Sequence, residues 1–150
     1  MKKATSDLLL LDVNVLVAMA WPNHQFHLAA IQRLESRRNR WATCALTQLG
    51  FIRLSSNPAV VPSPRRPAEA AALLGVMVQD ARHVYLEALP SPITQEFGVA
   101  LEGLLGHQQV TDAYLLALAR RHKAAFVTFD ARVKHLMAPG ALVEVLGQPV

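Results

Sequence analysis

Four consecutive leucines, Leu8–Leu11, stop abruptly on Asp12. An unbroken apolar run of that length marks a strand buried on both faces, the pattern of a parallel sheet. A second run, Ala124–Phe129, stops the same way on Asp130. Trp41–Cys44, His83–Leu86 and Leu142–Val145 read as further short strands. Between them lie longer amphipathic stretches. A short helix is predicted from Asp12 through Ala20, stopped at Trp21-Pro22. Another covers His24–Ser36, with Phe26, Ala29, Ala30 and Leu34 on one side and Arg33 and Arg37 on the other. Ala45–Leu54 and Pro67–Gln79 are helical, the latter with proline in its first turn. The proline-bearing stretch Asn57–Arg66 is a loop. Ser91-Pro92 reads as a cap and first turn for a helix carrying Ile93, Phe97, Leu101 and Leu104, with Gly106 as its stop. Thr111 is the expected cap of a helix that runs to about His122 with Asp112 in its first turn. That helix is apolar nearly all round, which predicts burial. A short helix after Asp130 precedes the last strand.

Strands alternating with helices predict an α/β domain: a mainly parallel sheet of about five strands between two helical layers. Sites in such folds lie beyond the carboxyl ends of the strands. That rule points at Asp12 and Asp130.

Composition sharpens this picture. The chain has 150 residues, 52% of them hydrophobic, enough for one domain with a real core across residues 1–150. One cysteine, Cys44, excludes an internal disulfide and a cysteine-based zinc site, and its apolar setting predicts burial. Lys2 and Lys3 ahead of an apolar run have the outline of a secretory leader. Asp12 and Asn14 inside the run oppose membrane insertion, and the run is too short to span a bilayer. A soluble cytoplasmic protein is expected. The net charge of +4 comes with basic clusters at Arg33/Arg37/Arg38/Arg40, Arg65/Arg66 and Arg120/Arg121/Lys123. They fit a polyanionic partner, and equally fit solvated helix faces.

The chemistry rests on the aspartates. There are five, and three of them stand at special places: Asp12 and Asp130 after apolar strands, Asp112 at the head of an apolar helix. Each alone is explained as a helix cap or by the helix dipole. Together they describe carboxylates that are costly to bury unless paired or bound to a cation. A hard divalent ion takes such oxygen ligands and activates water against a phosphodiester. Thr128 shares the strand face of Asp130, and Asn14 stands two residues beyond Asp12, so both are candidates to orient the carboxylates.

Four segments, LLLLDVNVLVA (8–18), ATCALTQLGFIRLSSNP (42–58), VTDAYLLALAR (110–120) and AAFVTFD (124–130), together resemble the PIN-domain family and, within it, the VapC-type toxins of bacterial toxin–antitoxin pairs. The resemblance implies an endoribonuclease dependent on Mg2+ or Mn2+, with Asp12, Asp112 and Asp130 as metal ligands. It implies a homodimer, a small antitoxin that occludes the site, and a structured RNA target such as a transfer RNA. Gln48 stands where the family usually has a glutamate. An amide coordinates or hydrogen-bonds without adding negative charge, which predicts weaker metal binding.

Two rival readings remain. In one, the fold persists as a binding module for RNA or antitoxin, with Gln48 a sign of weakened catalysis. In the other, the chain is a phosphoacceptor receiver domain. That fold needs paired acids at the first strand end and a late lysine, whereas Asp7 precedes the first strand and no lysine follows Leu142–Val145. His24 and His27 read as a solvated helix face. No Gly-rich phosphate loop is present.

Overall fold

The structure, a computed structural model, describes residues 6–104, 106–136 and 140–147; Lys2 and Lys3 lie outside them. Five strands form one sheet: β1 (Leu8–Leu11), β2 (Arg40–Thr43), β3 (His83–Tyr85), β4 (Ala125–Thr128) and β5 (Leu142–Val145). Their order is β3-β2-β1-β4-β5, and every pairing is parallel. Chain progression therefore runs outward from β1 in both directions. The crevice between β1 and β4 is the point where the direction reverses, and such switch points are where open α/β sheets bind ligands.

Register places Leu9 beside Trp41 and Ala125, and Leu10 beside Ala42 and Phe126. Because side chains alternate across a strand, each face gathers its own core. One face packs Leu9, Leu11, Trp41, Ala125 and Val127 against α1 (Val13–Ala20), α2 (His27–Arg37), α3 (Ala45–Ser55) and α4 (Pro67–Met77). The other packs Leu8, Leu10, Ala42 and Phe126 against Leu115, Leu116, Leu118 and Ala119 of α6 (Val110–Arg121). On that side α5 (Gln95–Glu102) leans on α6 through an edge-to-face contact of Phe97 with Tyr114. The result is the three-layer helix/sheet/helix domain that the run pattern predicts. Cys44 is buried in the second core.

Three helix starts differ from the sequence reading. Residues 91–94 form a turn, in which the Ser91 carbonyl accepts from the Thr94 N–H, so α5 begins only at Gln95. That helix ends on Gly103 rather than Gly106, which instead precedes a short 3-10 turn, His107–Gln109. That turn runs straight into α6 and puts Gln109, not Thr111, at its cap. In α2, His24 and Phe26 belong to the entry turn, where the His24 ring accepts from the Phe26 N–H and helical structure starts at His27.

A close contact between α3 and α1 and an ion pair between α2 and β5 hold the layers together. A Cβ on Gly50 of α3 would come within 2.6 Å of Val13 Cγ2 at the start of α1. The missing side chain lets α3 press on the residue next to Asp12. Arg33 crosses from α2 to β5, where Nε and Nη2 donate to both oxygens of Glu144 at 2.7 and 2.8 Å. No helix of the described residues is long and apolar enough to cross a membrane.

Candidate metal centre

Sheet geometry brings two carboxylates to the reversal point. Asp12 follows β1 and its N–H still donates to Val127 of β4 at 2.9 Å. Its side chain caps α1: Oδ1 accepts from the Val13 N–H at 2.7 Å. Its Oδ2 accepts from the Thr128 hydroxyl, also at 2.7 Å. Thr128 Oγ1 in turn accepts from the Asp130 N–H at 3.1 Å. One buried hydroxyl thus joins the ends of β1 and β4.

Asp112 arrives by a different route. Helix α6 turns into β4 at the amino edge of the sheet, with Ala124 N–H donating to the Ala119 carbonyl. Running antiparallel to β4, it carries its first turn back to the carboxyl edge. There Asp112 and Asp130 line a shallow cleft of about 80 Å3 together with Gln109, Arg132, Val133 and Leu136.

The electrostatics are those of crowded acids. Burial pushes Asp12 above its ordinary value, against the pull of its hydrogen bonds from Thr128 and Val13, and Asp130 adds repulsion. Burial, then the charges of Asp12 and Asp130, push Asp112 up to about 6. Asp130 goes the other way. Hydrogen bonds from Arg132 hold it below the usual carboxylate range. Arg132 wraps back on it, with its backbone N–H and Nε each 2.9 Å from Oδ1 and Nη2 2.8 Å from Oδ2.

The other predicted site residues are dispersed. Asn14 is exposed on the first turn of α1 and makes no hydrogen bond to Asp12, whose two oxygens are taken by Val13 and Thr128. Gln48 Nε2 donates to Thr43 Oγ1 at 3.0 Å, and that hydroxyl also meets His83 Nε2 at 2.8 Å. The amide is therefore anchored toward β2 and β3 rather than bonded to an aspartate. Among the described residues, no group of three or more His, Cys, Asp or Glu side chains stands close enough to hold one metal ion. Donor chemistry fits a hard cation, since carboxylate oxygens are its preferred ligands and these acids repel one another. Their arrangement is not a closed coordination shell, because Asp130 is turned onto Arg132. Sequence reasoning missed Arg132, although an aspartate followed two residues later by a backbone donor is a known turn signal. It also missed the Thr43–His83 anchor, which depends on strand register.

Residues 9–138 match the family model described as PIN domain. The chain belongs to the PIN-domain family. Its VapC-type members are the near relatives. The chain is 42% identical over 141 residues to Ribonuclease VapC39 of Mycobacterium tuberculosis, covering 91% of this chain and 98% of that one. It is 40% identical over 140 residues to Ribonuclease VapC38 of the same organism, covering 91% and 96%. Two solved structures share the PIN fold at low identity. The Rickettsia felis VapBC2 complex bound to a promoter DNA fragment matches with TM-score 0.64 at 14% identity, over 93% of this chain and 99% of that one. Mycobacterium tuberculosis VapC20, a Sarcin-Ricin loop cleaving toxin, matches with TM-score 0.62 at 13% identity, over 85% and 93%.

Proposed function

We propose that this PIN-domain protein is a divalent-metal-dependent endoribonuclease, the toxin of a toxin–antitoxin pair, with residues 1–150 as one domain acting in the cytoplasm. The observation that carries the reading is the gathering of acids beyond the carboxyl ends of β1 and β4, with Asp12 bonded to Thr128 and Asp112 and Asp130 lining one cleft. The 42% identity to a ribonuclease supports it. Mg2+ or Mn2+ bound by Asp12, Asp112 and Asp130 would acidify a water and offset charge developing on phosphorus. The chain's own tasks are then distinct. Thr128 holds the Asp12 carboxylate in one orientation and braces the backbone of Asp130. Gln48, which stands in the sequence where the family usually has an acid, offers a neutral amide that Thr43 holds. Arg132 at the cleft would position the RNA backbone without reading its sequence. Single-stranded loops of a folded RNA, such as a transfer RNA, suit such a shallow site.

A small antitoxin covering this cleft is the expected partner. A homodimer is also expected, and the exposed apolar side chains Leu46 and Leu49 on α3 and Val76 on α4 favour it. Light scattering of the purified protein checks the dimer, and copurification with the product of an adjacent small gene checks the antitoxin.

The deciding experiment is cleavage of total RNA with Mg2+ or Mn2+, beside an Asp12→Asn variant and an EDTA control. Discrete fragments that vanish in both controls support the reading. RNA binding without cleavage favours a second one, a binding module. The open arrangement of the acids and the amide at Gln48 are the observations in its favour.

A further inference from the structure

Arg132 stands out because it spends its charge on a residue that a metal site needs. It follows Asp130 by two residues at the start of a 3-10 turn, Ala131–Leu136. Its guanidinium reaches both carboxylate oxygens, with Nε 2.9 and 3.2 Å from Oδ1 and Oδ2 and Nη2 2.8 Å from Oδ2. The pair is lopsided in exposure: the Arg132 side chain is 77% exposed and that of Asp130 25%. Nη1 makes no hydrogen bond among the described residues, so part of the donor fork faces water. Arg33 differs in each respect. Its side chain is only 14% exposed, it meets Glu144 with two nitrogens, and its third, Nη1, donates to Asn39 at 2.9 Å. Arg33 is a structural tie, whereas Arg132 is a loose lid on a carboxylate.

We propose that Arg132 is a displaceable internal counter-ion: it occupies Asp130 until a divalent cation takes the carboxylate, and the freed guanidinium then binds an RNA phosphate at the mouth of the cleft. An exposed ion pair is weak and salt-screened, so a divalent cation displaces it readily. A guanidinium released beside the cleft presents the planar donor fork that matches phosphate oxygens. The same side chain thereby offsets part of the repulsion between Asp130 and Asp112 in the free protein and supplies a positive group once substrate arrives. Arg132 lines the cleft with Asp112 and Asp130, so both contacts lie at one site. This inference rests on the metal-dependent reading of the site.

The test is Mn2+ binding by the full chain without RNA, followed by electron paramagnetic resonance or calorimetry, for wild type, Arg132→Gln and Arg132→Lys. Arg132→Gln should bind Mn2+ about two- to five-fold more tightly, the range that an exposed pair sets. The same variant should bind a non-cleavable 2′-deoxy-substituted oligonucleotide about three- to ten-fold more weakly in the presence of Mn2+. Arg132→Lys should fall between, since it keeps the charge and loses the fork. Unchanged melting temperatures would show that the exposed substitutions leave the fold intact. Wild-type Mn2+ binding that Arg132→Gln leaves equal or weakens overturns the counter-ion role and leaves the metal reading standing. Absence of Mn2+ binding by all three proteins overturns both.

Discussion

Asp12 and Asp130 end neighbouring parallel strands, yet they are held in opposite ways. Asp12 is 8% exposed, and its oxygens are fixed by a backbone N–H and by the buried hydroxyl of Thr128. Asp130 follows β4 and is bonded by an exposed arginine of the 3-10 turn after it. The same topological position therefore yields one rigid carboxylate and one exchangeable carboxylate. Sheet register decides where an acid stands, and its nearest donor decides whether it is free to take a new partner.

Removing the rigid member should have the largest effect. Asp12→Asn is expected to lower RNA cleavage at least about 100-fold, because several kcal/mol of charge stabilisation disappear with the carboxylate. Single-turnover cleavage measures it, and residual activity within ten-fold of wild type would move the centre elsewhere.

Making Asp12 as loose as Asp130 comes next. Thr128→Val keeps the shape of the side chain and removes both hydrogen bonds of its hydroxyl. Cleavage should drop about 10-fold, as when a group that orients a metal ligand is lost. Stability should fall by about 1–3 kcal/mol, because a buried carboxylate oxygen loses its donor. Urea titration and cleavage assays on the same preparation separate the two effects.

Gly50→Ala tests the packing behind Asp12. A methyl group 2.6 Å from Val13 Cγ2 must displace that side chain or push α3 from α1. Overpacking of this kind costs about 1–3 kcal/mol. An unchanged urea midpoint would show that α1 yields freely at its first turn.

A smaller effect follows from Asp112, whose carboxyl is raised from 3.8 to about 6 in the fold. The folded chain then binds more protons than the unfolded one between those values, so metal-free stability falls as pH rises from about 4 to 6. Asp12, raised as well, adds to the same slope. The lowered Asp130 and Asp80 contribute stability that is lost only as pH falls below the ordinary carboxylate range. Asp112→Asn should flatten the slope. At pH 7.5 in EDTA it should stabilise the protein by about 1 kcal/mol, well under full conversion of the shift because the carboxylate is partly in water. Thermal melts across pH decide it, and a destabilised variant would show that Asp112 is paired rather than strained. Smallest of all, Asp7→Asn, which breaks an exposed ion pair with Arg40, should change stability by less than about 0.5 kcal/mol.

Much of this is legible in the sequence. Strand runs capped by acids located Asp12 and Asp130, because an ionised group after an apolar run has few reasons to be there. The apolar girth of α6 foretold its burial. Helix starts were less legible at residues 91–94 and 107–111, where several turn-forming residues compete and long-range packing chooses among them. Gln48 was identified by its place in a motif, but its partner is Thr43 of β2, held in common with His83 of β3. No reading of local sequence connects those residues.

By itself the sequence determined which segments lie inside, where each strand stops, and that three acids sit at strand and helix ends, because those features depend on local patterns of burial and charge. Tertiary structure decided the strand order, the reversal point between β1 and β4, and the fates of the acids. Those depend on which chain-distant donor stands within about 3 Å of each oxygen. Thr128, 116 residues from Asp12, was the near one.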